Sequence, residues 1–266
     1  MKEILKEISP ESINQYIEKN LDDFYSKSSK HSNFDSRIED KISWVFAKKA
    51  DWPDGIFRAN FENLDVKKQI IEVKKLIQEG KAPNGWTVGP LTRPKNLGKT
   101  LEKCGFSNVY QQAGMSVELK EVIDKTIDNS DLIVERVDSE EKLTQWSEVV
   151  SKAFGLRVDY DLLKFLYLQD EVYFYLGRFE GKSVSTLMLY LSSGVAGLHA
   201  VSTLPEYRAK GFGLSISRTA LIDACGMGYY IGVLEASSLG EKVYRKLGFQ
   251  KYCDIISYAL SNIEKK

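Results

Sequence analysis

The sequence contains few of the residues that build metal sites or disulfide-stabilised folds. It has three cysteines and two histidines in 266 residues. Cys104, Cys225 and Cys253 are too few and too widely spaced for a disulfide framework or a zinc site. His31 and His199 are too few for a histidine-rich metal site. We therefore expect a protein without a bound metal.

The chain also lacks an excess of charge of either sign. Lysine and arginine number 37, and aspartate and glutamate also number 37. A neutral chain gives no electrostatic basis for binding nucleic acid or an anionic membrane, although a local basic loop can still bind a phosphate. We expect neither nucleic acid nor a membrane among the partners.

The sequence also lacks a long uninterrupted apolar segment. The most apolar window, residues 185–204, contains glycines, serines and a histidine, and it predicts two strands and a turn rather than a membrane span. The charged first seven residues differ from the apolar core of a signal peptide. Hydrophobic residues make up 43% and charged residues 28%, which is typical of a folded soluble protein. These features favour a cytoplasmic location.

Periodicity and turn residues predict an α/β protein with a mixed sheet. The polar segment 124–131 is the best candidate for a linker, between domains at 1–123 and 131–266. Residues 26–36 are polar and predict a loop. Helices are predicted from Ser9-Pro10 onward, at 64–78, 97–104, after a cap at Ser139, at 160–168, after Gly213 and at 239–247. Strands are predicted at 42–47, 56–61, 85–89, 110–119, 132–136, 172–179, 184–191, 195–202, 229–236 and 253–260.

The two predicted domains resemble each other in one segment. Leu97–Phe106 and Leu239–Phe249 both contain a helical stretch, a Gly-Phe pair and a following strand. An internal duplication of one α/β unit would explain the likeness. A glycine that ends a helix is also common, and the sequence leaves this second explanation open.

The most specific motif is Arg208-Ala209-Lys210-Gly211-Phe212-Gly213, an R-x-x-G-x-G loop that opens a predicted helix. Gly211 and Gly213 allow a sharp turn and close approach of the backbone to a ligand. The free N–H groups and the dipole of the helix favour an anion at this point. Arg208 and Lys210 add positive charge suited to a diphosphate.

Three segments in fixed order extend this motif. Val201–Gly213 is followed by Val233–Ser238 and then by Tyr244–Phe249, in which a tyrosine precedes a Gly-Phe pair by four residues. Residues 131–262 resemble the GNAT-type N-acetyltransferases in this order and spacing. The resemblance implies the GNAT acyl-CoA fold, acetyl-CoA as co-substrate, and direct transfer of acetyl to a primary amine in a ternary complex.

The resemblance also implies roles for particular residues. Main-chain groups at the end of one strand pair with the pantetheine arm, and an amide near Val201 stabilises the developing oxyanion. A polar residue meets the pantetheine at Ser237. The implied cofactor-binding set is Val201, Ser202, Thr203, Arg208, Ala209, Lys210, Gly211, Phe212, Gly213, Leu214, Ser215 and Ser237.

Proton transfer requires an acid and a base. The resemblance makes Tyr244 the general acid that protonates the departing CoA thiolate. His199 is a candidate base because it lies two residues before Val201, so strand alternation would place both side chains on one face. Glu235 and a chain of water molecules are the alternatives.

The N-terminal half departs from the family pattern. Phe61–Lys67 has no R-x-x-G-x-G, and its two carboxylates would oppose a diphosphate. Leu101 stands where Tyr244 stands in the other half. We therefore expect two tandem GNAT-like halves, the first degenerate and without cofactor. The acceptor, a small-molecule or peptide amine, is not identified, and a homodimer remains open. A non-catalytic CoA-binding sensor and a tRNA-dependent aminoacyl transferase are the alternative functions.

Overall fold

The computed structural model describes residues 4–9, 11–47, 49–124 and 131–261. It contains one mixed sheet of eleven strands flanked by helices. No helix in these ranges is long and apolar enough to cross a membrane. The helices are α1 (Ile13–Ser28), α2 (Val66–Gln78), α3 (Leu97–Lys103), α4 (Leu119–Asp124), α5 (Glu140–Phe154), α6 (Tyr160–Tyr167), α7 (Phe212–Gly226) and α8 (Ser238–Leu247).

Eleven strands make up the sheet. In chain order they are β1 (Phe34–Ile38), β2 (Ser43–Ala47), β3 (Gly55–Phe57), β4 (Trp86–Val88), β5 (Phe106–Glu118), β6 (Ile133–Arg136), β7 (Val172–Phe179), β8 (Lys182–Ser192), β9 (Val195–Thr203), β10 (Ile231–Ala236) and β11 (Gln250–Leu260). The predicted α/β class with a mixed sheet is confirmed.

Local signals explain the elements that the sequence predicted well. Ser139 caps α5 and accepts a hydrogen bond from the Lys142 N–H at 3.3 Å. Gly155, with φ 67°, follows α5 in the left-handed conformation that ends many helices. Glu180 and Gly181 both have positive φ in the β7–β8 hairpin, as a tight turn between twisted strands requires.

Several predictions at the N-terminal side were wrong. α1 begins at Ile13 rather than at Ser9, and Pro10 lies outside the described residues. The predicted loop 26–36 is confirmed only at residues 29–33, because α1 continues to Ser28 and β1 begins at Phe34, its one buried residue. The predicted strand 56–61 ends at Phe57, because Arg58 has a φ of 52° that breaks the extended backbone. The proposed linker falls mainly on residues 125–130, which lie outside the described ranges.

The strand order reveals an exchange between the two halves of the chain. The order is β1-β2-β3-β4-β11-β5-β10-β9-β8-β7-β6. β11 lies between β4 and β5, and β5 lies between β11 and β10, with every one of these pairings antiparallel. Each half therefore places its last strand beside a strand of the other half, and the two halves share one continuous sheet.

The two faces of the sheet carry separate cores. Successive residues of β8 alternate between them, because Leu187 and Leu189 pack with α7 and α8, whereas Met188 and Tyr190 pack with α1, α5 and α6. We call these the α7 face and the α1 face. The candidate active site lies where β9 and β10 separate, so that residues of both faces reach it.

Candidate active site

The site begins where two parallel strands separate. β9 and β10 pair only at Ala196 with Gly232 and at Gly197 with Val233. Beyond this point β9 continues to Thr203 without a β10 partner in the described pairing. An extended part of a ligand can bind this free edge in the way that an additional β-strand would.

A bulge lies in β9 beside this free edge. Ala200 and Val201 together lie opposite Leu187 of β8, and Ala200 has a left-handed φ of 49°. The extra residue interrupts side-chain alternation. Val201 packs with Leu198 against the core of the α7 face, whereas His199 stacks on an aromatic ring of α1. The prediction that His199 and Val201 share a face was wrong, because alternation does not continue through a bulge.

A cavity of about 490 Å³ occupies the opening between the strands. Both halves of the chain and both faces of the sheet contribute to its walls. Its lining includes Val201, Ser237 and Tyr244 together with His199 and Glu235. The predicted cofactor-binding residues, the predicted general acid and the candidate bases therefore lie around one cavity. The other lining residues are Leu21, Phe24, Tyr25, Trp52, Thr87, Tyr110, Gln112, Val150, Phe154, Leu156, Val158, Leu198, Ala200, Gly240, Ile255 and Ser257.

The predicted phosphate loop leads directly into α7. Ala209 and Gly211 have positive φ values of 62° and 81°, and α7 starts at Phe212. Gly211 occupies the cap position, where no side chain bonds the first amides of the helix. A β-carbon added at Gly213 would meet no atom within 4 Å. The first amides of α7, at Phe212, Gly213 and Leu214, have no side-chain cap and therefore suit an anion.

The two basic side chains of the loop have other contacts. Arg208 Nε donates to the Thr203 carbonyl at 3.1 Å, and its Nη2 donates to the Ala153 carbonyl at 2.9 Å. Lys210 Nζ lies 4.8 Å from the centre of the Phe179 ring. Arg208 thus connects the loop to β9 and to the end of α5.

Side chains at the end of β9 mainly stabilise the neighbouring strand. The Ser202 hydroxyl lies 2.7 Å from the Thr186 hydroxyl, and the Thr203 hydroxyl lies 3.1 Å from that of Ser185. Ser237 caps α8 by accepting from the Gly240 N–H at 3.1 Å. Ser237 also lines the cavity.

Tyr244 lies on α8 and is 8% exposed. Its ring packs edge-on against Phe249 at 5.6 Å, which sets the ring plane. Burial raises the pKa of Tyr244, and the charge of Glu235 raises it further, while the Ser217 hydroxyl acts in the opposite direction. The phenol is therefore protonated at neutral pH, as a proton donor must be.

His199 is held by Asn20 of α1. The Asn20 amide donates to the Tyr190 carbonyl at 3.2 Å and to the Ser192 hydroxyl at 2.9 Å, so its oxygen faces His199 Nε2 at 2.8 Å. Nε2 therefore carries the proton, and Nδ1 carries the free lone pair. Burial lowers the pKa of His199 to about 4. The ring is neutral at neutral pH and is a weak proton acceptor.

Three carboxyl groups lie on the α1 side of the cavity. Burial, with smaller contributions from the charges of Glu18 and Asp22, raises the pKa of Glu235 to about 8. Burial also raises the pKa values of Glu18 and Asp22 to about 7 each. Asp22 pairs with Arg58 at 3.3 Å, and Glu18 accepts the Leu91 N–H. In the described part of the chain, Glu235 has no ion-pair partner.

In the N-terminal half, α2 begins with a side-chain cap rather than with a free glycine turn. The Asp65 carboxylate caps α2 and accepts from the Lys68 N–H at 3.1 Å, where α7 has an uncapped glycine. Leu101 is fully buried in the core of that half. Gly105 and Gly248 both have positive φ after α3 and α8, so the two helices end alike.

Sequence reasoning missed the contribution of α1 to the cavity. Asn20, Phe24 and Tyr25 reach across from the other half. One signal was present, because Asn20 lies on the apolar stripe formed by Ile17 and Phe24. A polar residue at such a position commonly has a buried partner. The partner itself depends on the strand exchange, which periodicity does not reveal.

The fold is that of the GCN5-related N-acetyltransferases. A structure of such a protein from Kribbella flavida is similar to this chain with a TM-score of 0.69 and 14% identity, over 92% of this chain and 96% of that one. One from Sphaerobacter thermophilus gives 0.59 and 13%, over 94% and 93%. A GCN5-related N-acetyltransferase-like protein from Streptococcus suis gives 0.54 and 14%, over 92% and 99%.

Sequence comparison alone detects no relative. No protein-family model matches the chain, and no curated protein matches it. Among the described residues, no three histidine, cysteine, aspartate or glutamate side chains come together as candidate metal ligands.

Proposed function

We propose that this protein is an acyl-CoA-dependent N-acetyltransferase that acts on a primary amine. The observation that carries the proposal is the convergence of the free edge of β9, the hydroxyl of Ser237 and the phenol of Tyr244 on one cavity. The fold of GCN5-related N-acetyltransferases supports it.

The residues present fit acetyl-CoA, which would supply the acetyl group as a thioester. The uncapped amides at the start of α7 would bind the diphosphate. The edge of β9 that lacks a β10 partner, from Val201 onward, would hold the pantetheine arm. An amide at the bulge would stabilise negative charge that develops on the carbonyl oxygen.

Tyr244 would give its proton to the departing sulfur. During transfer, the bond between the amine nitrogen and the carbonyl carbon forms, and the bond between that carbon and sulfur breaks. Of the three protons on an ammonium acceptor, one stays on the amide, one replaces the proton that Tyr244 gives to sulfur, and one leaves through a base. Glu235 suits the last role better than His199, since its pKa lies near neutrality and that of His199 lies near 4.

The experiment is a thiol-release assay with acetyl-CoA and a panel of amines. Replacing Tyr244 by phenylalanine should lower kcat about 10²- to 10⁴-fold, because the general acid is lost. The Kd for CoA should stay nearly unchanged, since only a hydroxyl is removed. An unaltered kcat at the optimal pH would show that Tyr244 is not the acid.

The same assay separates the alternatives. A CoA-binding sensor would bind CoA saturably and release no thiol with any amine. A tRNA-dependent aminoacyl transferase would need charged tRNA and would show no dependence on acetyl-CoA.

We also propose that the two halves are tandem GNAT-like units and that only the C-terminal one binds the donor. The nearly symmetric strand order and the Asp65 cap of α2 support this interpretation. The N-terminal half then contributes α1, Trp52 and β4 to the cavity wall.

A further inference from the structure

The charge of the cavity walls restricts the acceptor. Among the described residues that line the cavity, Glu235 is the one carboxylic acid, His199 is uncharged at neutral pH, and no lysine or arginine is present. Glu18 and Asp22 of α1 do not line the cavity, but each raises the pKa of Glu235 when it is ionised. Without a ligand, Glu235 keeps its proton at neutral pH, because its pKa is about 8. An ammonium beside it would favour the ionised carboxylate, whereas a carboxylate or a phosphate would disfavour ionisation and would find no lysine or arginine in the lining.

The remaining wall on this side is apolar and largely aromatic. Phe24 and Trp52 stack with ring centres 5.2 Å apart, and Tyr25 lies beside them in the lining. Val150 and Phe154 of α5 complete the wall, and Phe154 is 50% exposed at the surface of the protein. Aromatic faces attract an ammonium group and also bury an apolar body.

This wall is held in place across the two halves. Arg157 donates to both carboxylate oxygens of Asp51 at 3.1 Å and 2.9 Å, and the Asp51 N–H donates to the Arg157 carbonyl at 2.8 Å. The adjacent residues Trp52 and Val158 form a β-bridge. The paired segments fix the position of Trp52, so the apolar wall belongs to the folded structure before a ligand binds.

We propose that the acceptor is a small primary amine with an apolar body and no anionic group, whose ammonium binds at Glu235. This inference rests on the proposed acetyltransferase function and specifies its substrate class. Glu235 precedes Ala236, which packs on the α7 face, so alternation directs Glu235 to the α1 face. The acceptor therefore approaches from the α1 face, opposite Tyr244 and the donor loop, and meets the thioester where the strands diverge.

Four amines of related structure test the substrate class with the full-length chain. They are 2-phenylethylamine, L-phenylalanine, L-phenylalaninamide and ethylamine. The amide controls for the size of the carboxylate, and ethylamine lacks the apolar body. We expect kcat/KM for 2-phenylethylamine and for the amide to exceed that for phenylalanine by at least about tenfold, with ethylamine at least about tenfold below 2-phenylethylamine. Equal or better use of phenylalanine, or preference for a polyamine such as spermidine, would overturn the inference.

Direct binding of the same amines, measured by calorimetry, keeps the two proposals separable. If no amine releases thiol, the acetyltransferase proposal fails, while tighter binding of 2-phenylethylamine than of phenylalanine would still support the cavity assignment. Equal binding of the two would refute that assignment irrespective of turnover.

Two variants test whether Glu235 is the residue that discriminates between the amines. Glu235→Gln keeps the shape of the side chain and should reduce the discrimination between 2-phenylethylamine and phenylalanine in binding by about tenfold. Glu148→Gln removes a carboxylate from the exposed surface of α5, outside the cavity lining, and should leave that ratio unchanged. An unaltered ratio in Glu235→Gln would show that the ammonium does not bind there.

Discussion

At the scale of single residues, Gly213 is a position where a substitution should change protein stability and ligand affinity in opposite directions. Gly211 has a φ of 81° and needs glycine for its conformation, but Gly213 lies in the first turn of α7 without a positive φ. Nothing lies within 4 Å of the position of an added β-carbon at Gly213. The space is open in the direction from which a diphosphate would approach, so only a ligand would make a side chain unfavourable there.

We therefore expect Gly213→Ala to raise the free energy of unfolding by up to about 1 kcal/mol, because alanine is the better helix former. CoA affinity should fall by about tenfold or more, since the methyl group blocks the amides. Thermal denaturation and calorimetry measure the two effects. Gly226→Ala, at the other end of α7 and also in open space, is the matched control and should leave CoA binding unchanged. If Gly213→Ala binds CoA normally, the diphosphate does not contact this turn.

Residues around the bulge show what the sequence can predict. The order of motifs from Val201 to Phe249 led to Tyr244 and Ser237, and both line the cavity. The placement of His199 failed, because one inserted residue in β9 reverses the faces and no residue type marks a bulge reliably. The contacts of Arg208 with main-chain carbonyls were equally unpredictable, because they depend on the distant end of α5.

At the scale of elements, the packing of α1 on β9 depends on one glycine. A β-carbon at Gly197 would overlap Asn20 Oδ1. Asn20 in turn bonds the β8–β9 hairpin and His199. Strand boundaries such as those of β7 followed from alternation and turn residues, whereas this contact between halves has no local signature.

Gly197→Ala should destabilise the protein strongly, because α1 must move away from β9. Asn20→Ala should cost about 1–3 kcal/mol, since it leaves buried polar groups without partners. In the double variant the clash is absent, so the two costs should be less than additive in a double-mutant cycle measured by urea denaturation. Strict additivity would show that the two residues do not contact each other.

At the scale of the whole molecule, buried ionisable groups make stability depend on pH. The folded protein retains protons on Glu18, Asp22 and Glu235 that the unfolded chain has lost, because their pKa values are raised. Stability from this source is present at low pH and is lost as pH rises through the folded pKa values. The lowered pKa of His199 makes stability rise with pH, but this rise is complete above the ordinary histidine pKa of 6.5.

Without ligand, the Tm should therefore fall by several degrees between pH of about 6.5 and about 8.5. Glu235→Gln should flatten this dependence, because the titrating group with the highest of the three pKa values is removed. Scanning calorimetry across this range measures the slope. Glu148→Gln serves as the control and should show the slope of the unchanged protein. A steep slope that persists in Glu235→Gln would mean that this carboxyl does not titrate in the window.

The exchange of β5 and β11 has a consequence for how the protein is made. β4 and β5 leave the ribosome before β11 has been synthesised, and β11 is the strand that lies between them. The N-terminal part of the chain therefore cannot complete its own sheet during translation. The native pairings of β4 and β5 with the segment Gln250–Leu260 can form only after that segment has emerged.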